Sequence, residues 1–345
     1  MKNVMRKRQL WGVMFALLLG IAGTTAYYHG RAAPPLAVYR QSRILLDTVI
    51  DVQVISADAR QARDAIAAAY AEIQRIEDAF SRYRDASQIA RINKNAGIAP
   101  TPVDEEARGL LRRAKNYGVL TDGLFDVTIG ALVDLWGIQT EHERVPPPEE
   151  IRRALRRVDF RKLDASDARG VWLTQPQMSA DVGGIAKGYA IDRALGVLTA
   201  RHARHALINA GGDIRAIGTR LDGAAWRIGV KHPRHEGIVG LVELKDGAIV
   251  TSGDYERFFV KDGARYHHIF DPRTGMPAQG CQSVTILAPT AEQADALSTS
   301  VFIMGPEAGL KFIAAQRGVE AMIIGADGTF AFSPGFALLP ENAFD

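Results

Sequence analysis

The sequence predicts a mixed α/β protein in which helices and strands form packed layers. Strand-like and helix-like segments alternate irregularly along the chain, which does not fit a strict array of parallel βαβ units. The 345 residues are 47% hydrophobic and 23% charged, a composition typical of a globular protein that buries its own core. Cys281 is the only cysteine, so no intramolecular disulfide contributes to the fold.

The individual elements follow from residue spacing. Aliphatic and β-branched residues predict one strand over Ile44–Ile55, and apolar residues at helical spacing predict a helix over Ala59–Phe80, capped by Ser56 or Asp58. Further helices are predicted over Asp104–Val119, Glu149–Val158, Ile185–Ala200, Ala291–Met304 and Pro306–Arg317, and strands over Trp226–Ile286 and Ala321–Ile324.

The N-terminal segment combines a basic start with an apolar run from Leu10 to Ala26, an order typical of a secretory signal or a membrane anchor. The run is close to the ~17 residue minimum for a spanning helix, so both alternatives stay open. We therefore divide the chain into a leader, residues 1–33, and a functional domain, residues 34–345. Both alternatives predict export to the periplasm, and a retained anchor would keep residues 10–26 in the inner membrane.

The charge of the chain gives no reason to expect a nucleic-acid partner. The formal net charge is +3, but five basic residues and no acidic ones precede Pro34. Without that leader the chain has a slight excess of acidic residues, so it lacks the positive field that attracts nucleic acid.

A double-glycine bend is the first candidate site. Residues 181–189 read DVGGIAKGY, a strand end that passes through two glycines into a helix. Backbone N–H groups at such a bend face a ligand closely, and Lys187 adds a positive charge. The spacing is too short for a Walker A loop, and a purely structural turn remains the alternative.

A possible metal site lies near the start of a later predicted helix. Asp295 and Thr299 are four residues apart, so their oxygens share one helical face. A carboxylate and a hydroxyl suit Mg²⁺ and leave positions for phosphate and water. The alternative is an acidic first turn that stabilises the helix dipole.

Two more segments contain candidate residues. His267 and His268 follow a predicted hairpin at residues 262–263 and should point to opposite faces. One of them can then reach a site, while the other packs or meets solvent. The histidine at the site would serve in proton transfer, with a structural role as the alternative. In residues 123–130, GLFDVTIG, an aromatic beside an acid would hold a flat heterocycle, although core packing explains the same letters.

Together these stretches resemble, in order from about Leu46 to Gly325, the ApbE family of FAD:protein FMN transferases. The shared patterns are FDxTxG at 125–130, DxGGxAKG at 181–188, SGDYER at 252–257, HIxDPxTG at 268–275 and DALxT at 295–299, with shorter similarities at 80–83 and 209–214. Many members have methionine and glycine where this chain has Leu46 and Asp47, and proline where it has Ala131.

The resemblance implies a mixed, largely antiparallel sheet flanked by helices, and a set of site residues. Mg²⁺ would be held by the side chains of Asp295 and Thr299 and by the backbone carbonyl of Gly184. The residues expected to contact FAD are Leu46, Tyr83, Leu124, Phe125, Asp126, Asp181, Lys187, His268 and Ile269.

The implied reaction moves FMN from FAD to a threonine of an exported or membrane redox protein and releases AMP. Mg²⁺, Lys187 and the N–H groups of the glycine bend would neutralise the diphosphate. We expect His268 to take the proton of the threonine, with activation by magnesium at Asp295 as the alternative. Two other functions use many of the same residues, namely a Mg²⁺-dependent FAD pyrophosphatase and, as a more distant alternative, a non-catalytic flavin carrier.

Overall fold

The structure, a computed structural model, describes residues 34–343 together with Met14. The predicted signal or anchor at residues 10–26 otherwise lies outside the described residues. Within the described part of the chain, no helix combines the length and the apolar character needed to cross a membrane.

The described residues form fourteen strands, and eight of them build a central sheet. In chain order the strands are β1 (Ala37–Leu45), β2 (Thr48–Ser56), β3 (Leu163–Asp164), β4 (Trp172–Leu173), β5 (His205–Ala210), β6 (Asp213–Ile217), β7 (Trp226–Lys231), β8 (Ile238–Leu244), β9 (Gly247–Gly253), β10 (Phe258–Lys261), β11 (Ala264–His267), β12 (Cys281–Ala288), β13 (Glu320–Gly325) and β14 (Phe330–Phe332). The large sheet has the order β1-β2-β5-β6-β9-β12-β13-β14, and every neighbouring pair is antiparallel. The predicted mixed α/β class with a largely antiparallel sheet is therefore confirmed.

The predicted single strand over Ile44–Ile55 is wrong, because the chain reverses inside it. Leu46 and Asp47 have φ angles of 53° and 57° and join β1 to β2 in a two-residue hairpin in which Leu45 pairs with Thr48. Such left-handed turns usually contain glycine or asparagine, so a leucine at this position gives no turn signal in the sequence.

The helices agree with the predictions more closely. They are α1 (Ala59–Phe80), α2 (Gln88–Lys94), α3 (Glu105–Leu120), α4 (Gly130–Trp136), α5 (Pro148–Leu155), α6 (Gly183–Ala200), α7 (Ala291–Met304) and α8 (Pro306–Ile313). Asp58 caps α1 by accepting the N–H groups of Arg60 and Gln61. The sequence interpretation missed α2 and α4, which have only seven residues each and thus little periodicity. It also extended α5 and α8 beyond their ends.

The sheet separates two apolar layers. On one face, α1, α6 and α7 bury residues such as Ile73, Leu198 and Phe302 against the strands. On the other face, the β7–β8 hairpin covers the sheet with Trp226 and its neighbours. Alternate residues of each strand face opposite layers, which fixes the register of the sheet.

Two further apolar clusters lie beside these layers, and the first of them includes the start of α6. One contains residues of α2 and α3 together with Phe125, Val182 and Ile185. The other is built around Trp136 of α4, whose indole N–H donates to Gly275 O at 2.9 Å, and it includes Phe270. These clusters position the loops that surround the glycine bend.

Candidate active site

The glycine bend and the predicted metal helix meet at a close crossing of α6 and α7. The N–H of Gly188 donates to Oδ2 of Asp295 at 2.9 Å. A Cβ at Gly188 would lie only 2.2 Å from the carbonyl oxygen of Ala291, so glycine is required for the two helices to approach this closely. The structure thus brings together two motifs that are more than 100 residues apart in the sequence.

The other two residues expected to bind magnesium lie at the same crossing. A Cβ placed on Gly184 would be 3.6 Å from Thr299 Oγ1, which shows that the backbone of Gly184 borders this hydroxyl. Ser252, at the end of β9, lies beside them, with its Oγ 3.5 Å from Thr299 Oγ1 and 2.8 Å from Ser298 Oγ. A carboxylate, two hydroxyls and a backbone segment therefore converge on one region.

The surroundings of Asp295 disfavour the negative charge of its carboxylate. The residue is 6% exposed, and burial raises the pKa of its carboxyl to about 7, an effect strengthened by repulsion from Asp213 and only partly offset by Lys187 and the Gly188 N–H. A bound cation would supply the missing positive charge, so the surroundings of Asp295 fit a metal ion.

The identity of the donors restricts the kind of metal. Across the described part of the chain, no group of three or more His, Cys, Asp or Glu side chains could hold a metal ion. An ion at Asp295 would therefore be bound by one carboxylate, one hydroxyl and a carbonyl, with its remaining ligands coming from water or substrate. That oxygen-only set suits a hard cation such as Mg²⁺ and not zinc or copper.

Lys187 lowers the pKa of Asp295 by its positive charge, and it already has a partner. Its ammonium forms an ion pair with Asp213, a residue that is 2% exposed. Burial opposes the charge of Lys187, but attraction to Asp213 and Asp295 outweighs that effect and raises the pKa of the lysine. Two acids, Asp213 and Asp295, thus share the positive charge of one lysine.

Asp181 begins the glycine bend and has a structural task there. Its Oδ1 accepts the N–H of Gly183 at 2.7 Å, and its Oδ2 accepts a hydrogen bond of 3.0 Å from Arg82. The buried guanidinium of Arg82 also binds Asp134 and Ser179. The expectation that the N–H groups of the bend face phosphate is therefore wrong for Gly183, because Asp181 has taken its N–H.

The loop before α4 places an aromatic ring over the bend. Phe125 is 4% exposed, and its ring lies 3.2 Å from the position of a Cβ on Gly184. The carboxylate of Asp126 faces the loop, where it accepts Thr128 N–H, the Thr128 hydroxyl and Phe160 N–H at 2.7, 2.6 and 2.9 Å. Leu124 is half-buried beside them. Asp126 therefore holds the loop together, Phe125 packs its buried ring over the bend, and the half-buried Leu124 offers apolar surface.

Two other predicted flavin contacts lie on more open parts of the molecule. Leu46 is half-buried in the β1–β2 turn, and its N–H donates to Glu77 Oε2 at 3.2 Å. Tyr83 is 71% exposed, and the guanidinium of Arg82 lies 5.6 Å from the centre of its ring. An exposed ring of this kind is available for stacking with a flat heterocycle.

The adjacent histidines occupy different environments, as the sequence predicts. His267 is 4% exposed, and its Nε2 bonds Ala278 O at 2.7 Å while its Nδ1 accepts the N–H of the buried Ile269. His268 lies just beyond β11, and both its backbone N–H and its ring Nδ1 bond Arg257 O, at 3.1 and 3.3 Å. Burial, with the nearby Arg257 charge, keeps the pKa of His268 well below its usual value, so the ring is neutral.

Residues 46–323 match the model of the ApbE family. The chain belongs to the ApbE family. Among curated relatives, FAD:protein FMN transferase from Treponema pallidum is 36% identical over 342 residues, 94% of this chain and 93% of the relative. The enzyme of the same name from Klebsiella pneumoniae is 34% identical over 83% of this chain and 89% of the relative.

Solved ApbE structures share the fold as well. The ApbE protein of Thermotoga maritima superposes with a TM-score of 0.82 at 38% identity, over 86% of this chain and 97% of that one. The flavin transferase ApbE of Vibrio cholerae gives a TM-score of 0.77 at 29% identity, over 88% and 99%. As an ApbE family member, this protein is an enzyme of the transferase class.

Sequence reasoning gave no role to three residues that complete this ApbE site. Asp213 and Arg82 lie within the two short similarities at 209–214 and 80–83, which were the available signal. Ser252 opens the SGDYER pattern. Their partners, Lys187, Asp181 and Thr299, come from distant segments, and only the folded chain identifies these pairs.

Proposed function

We propose that this chain is a Mg²⁺-dependent FAD:protein FMN transferase that attaches FMN to a threonine of another protein and releases AMP. The observation that carries the proposal is the position of Asp295 against the backbone of Gly188 and of Thr299 against the backbone of Gly184. The names of the ApbE relatives support the FAD:protein FMN transfer itself.

Asp295, Thr299 and the carbonyl of Gly184 would hold the Mg²⁺. The ion, when bound, supplies positive charge to the diphosphate of FAD and stabilises the charge that develops as that linkage breaks. Lys187 adds a second positive charge on the α6 side of the site. Because Asp213 anchors this lysine, its ammonium is held in one place.

The substrate would lie along the surface formed by the glycine bend and the loop before α4. Phe125 and Leu124 offer apolar contacts, and Tyr83 offers an exposed ring. Asp181 and Ile269 contribute the surrounding backbone and packing. Leu46, in the β1–β2 turn, contributes a further apolar contact.

His268 would accept the proton of the threonine. The threonine oxygen forms a bond to the phosphorus of the FMN half, the bond from that phosphorus to the bridging oxygen breaks, and AMP leaves with that oxygen. The threonine proton passes to Nε2 of His268 and then to solvent or to the departing phosphate. A neutral ring is required for this role, and the lowered pKa of His268 supplies it.

The acceptor would be an exported or membrane redox protein, since residues 1–33 have the pattern of a secretory leader or anchor. We place the enzyme in the periplasm on the same ground. The acceptor supplies the threonine, and this chain supplies the flavin site.

The test is to incubate the purified full chain with FAD, MgCl₂ and an exported flavoprotein from the same cells. We expect the acceptor protein to give a fluorescent band on a denaturing gel, because its flavin is covalently bound, and to gain a mass equal to an FMN residue. Both should disappear in EDTA, and both should fall by about 100-fold or more in Asp295→Asn and His268→Gln. Free FMN and AMP without labelled protein would establish the pyrophosphatase instead, and FAD binding that is indifferent to EDTA would establish the carrier.

A further inference from the structure

A buried acid outside the flavin site holds two arginines from different hairpins. Asp254, directly after β9, is 8% exposed. Arg234, from the β7–β8 connection, binds both of its carboxylate oxygens at 2.7 and 2.6 Å. Arg265 of β11 binds Oδ1 at 3.1 Å. These three residues form what we name the Asp254 clamp.

The clamp joins a buried carboxylate to two partly exposed guanidinium groups. Both arginine side chains are 31% exposed, while the Asp254 side chain is 11% exposed. Paired N–H···O bonds between a guanidinium and a carboxylate are short and directional, so they fix orientation as well as charge. The Asp254 N–H also donates to Gln282 O of β12 at 3.1 Å, which fastens the residue to the central sheet.

The clamped residue lies in the middle of a short segment that borders the site at both ends. At one end, Ser252 contacts the predicted metal ligand Thr299. At the other end, the carbonyl of Arg257 accepts both the backbone N–H and the ring Nδ1–H of His268. Asp254 therefore lies in the same short segment as the carbonyl that orients this histidine.

The hairpin before His268 lies outside the central sheet. Strands β10 and β11 pair only with each other and form a separate two-stranded sheet. Besides the clamp, it is held by the contact between the rings of Tyr266 and Trp136, whose centres are 5.6 Å apart, and by the 2.7 Å bond between His267 Nε2 and Ala278 O. Arg265 is thus the ionic link between this hairpin and the end of β9.

The hydrogen bond to Arg257 O determines which nitrogen of His268 carries the proton. A carbonyl oxygen only accepts, so the Nδ1 that faces it must be protonated. In the neutral ring, Nε2 is then left with its lone pair. This is the tautomer that a base attacking a hydroxyl proton through Nε2 requires.

We propose that Asp254 is a positioning residue for the transfer reaction. Through Arg234 and Arg265, it holds residues 252–257 so that Arg257 O keeps the proton of His268 on Nδ1 and leaves Nε2 to accept the threonine proton. This inference rests on the proposed function of His268.

The experiment compares Asp254→Asn with Asp167→Asn in the full chain. Asp167 is a matched control, because its carboxylate also binds an arginine through both oxygens, at 3.0 and 2.7 Å from Arg169, and the pair is not in the site. We expect Asp254→Asn to lower kcat for FMN transfer by about 10- to 100-fold, with KM for FAD unchanged. Asp167→Asn should leave both unchanged.

A second readout does not depend on activity. In the protein labelled with ¹⁵N-histidine, the ring signal that His268→Gln removes should report an Nδ1–H tautomer in the native chain and a mixture of tautomers in Asp254→Asn. If Asp254→Asn does not fold, Arg265→Met breaks one arm of the clamp and should shift the same signal. An unchanged His268 tautomer together with an unchanged kcat overturns the inference.

The two proposals fail in different ways. If the native chain shows the Nδ1–H tautomer but forms no labelled acceptor, the proposed function fails while the clamp stands. If the native chain labels its acceptor and Asp254→Asn does so at the same rate, the clamp has no part in the reaction. A fall in kcat that accompanies an unchanged tautomer likewise overturns the positioning role.

Discussion

The backbone N–H of Gly188 donates a 2.9 Å hydrogen bond to Oδ2 of Asp295. This contact joins the start of α6 to the first turns of α7 at the point where the candidate metal ligands converge. A side chain at position 188 would meet the backbone of Ala291 at 2.2 Å, so the geometry of the site depends on the absence of one methyl group.

Gly188→Ala should separate the two helices and destabilise the protein by about 1–3 kcal/mol or more, because the obstructing atoms are backbone and cannot rotate away. Gly196→Ala is the matched control on the same helix, since a Cβ there meets no atom within 4 Å. We expect the control to be neutral or to stabilise the chain by up to ~1 kcal/mol. Urea denaturation of both variants measures the difference, and equal midpoints would contradict the close crossing.

The pKa of Asp295 predicts how pH affects the ion-free protein. Folding raises this pKa from 3.8 to about 7, so the folded state binds the proton more tightly than the unfolded chain does. The contribution of Asp295 to stability therefore falls as pH rises from about 4 to about 7, by an amount on the order of a few kcal/mol.

Thermal melts in EDTA between pH 5 and 8 provide the measurement, with Asp295→Asn as the reference that lacks the titrating group. The native chain should lose stability relative to the variant as pH rises. Added Mg²⁺ should raise the Tm of the native chain more at pH 8 than at pH 5 and leave the variant unchanged. A stability difference that is constant with pH would show that Asp295 is not buried as described.

The ion pair of Lys187 with Asp213 should contribute more to stability than a surface pair. Lys187→Met leaves Asp213, 2% exposed, without its partner, and we expect a loss of about 2–4 kcal/mol. The double variant with Asp213→Asn should recover part of this loss, because no unpaired buried charge then remains.

Lys162 provides the control for that measurement. Its side chain is 32% exposed, close to the 34% of Lys187, but its partner Asp159 is 17% exposed and lies 3.8 Å away. Lys162→Met should therefore cost less than about 1 kcal/mol. Losses of similar size for the two lysines in urea denaturation would argue against the role assigned to Asp213.

Substitutions of the two adjacent histidines should have different effects, one on stability and the other on activity. His267→Ala removes a buried ring and its 2.7 Å bond to Ala278 O, and we expect it to lower the free energy of unfolding by about 2–4 kcal/mol. His268→Ala should change stability little and abolish most of the FMN transfer. Calorimetry and the labelling assay distinguish these outcomes, and a reversed pattern would exchange the two roles.

The same buried ring gives a second dependence on pH. Burial lowers the pKa of His267 from its ordinary 6.5, so the folded state resists protonation of this ring. The stability contribution of His267 is complete above pH 6.5 and is lost as pH falls below it. In His267→Gln this part of the pH dependence should be absent.

Elements with long, regular patterns could be predicted from the sequence. Helix α1 was predicted with the bounds that it has in the structure, because 22 residues repeat one apolar face and Asp58 caps its start. The β1–β2 hairpin was missed, because its turn uses Leu46 and Asp47 at left-handed φ angles that sequence patterns associate with glycine or asparagine.

The motifs of the site could also be recognised in the sequence, since each is a short run of residues with a defined spacing, and their order along the chain resembles the ApbE family. Asp295 and Thr299 share one helical face because they are four residues apart, and the glycines of residues 181–188 indicate a bend. The sequence alone thus determined which residue types are available and indicated the ApbE family.

Only the tertiary structure decided which of these residues act together. The pairing of Asp213 with Lys187, the hydrogen bond from Arg82 to Asp181 and the hold of Asp254 on two arginines all join different elements of the fold. Hydrogen bonds and ion pairs depend on distances of a few ångströms, and these distances are set by how the helices and strands pack against one another.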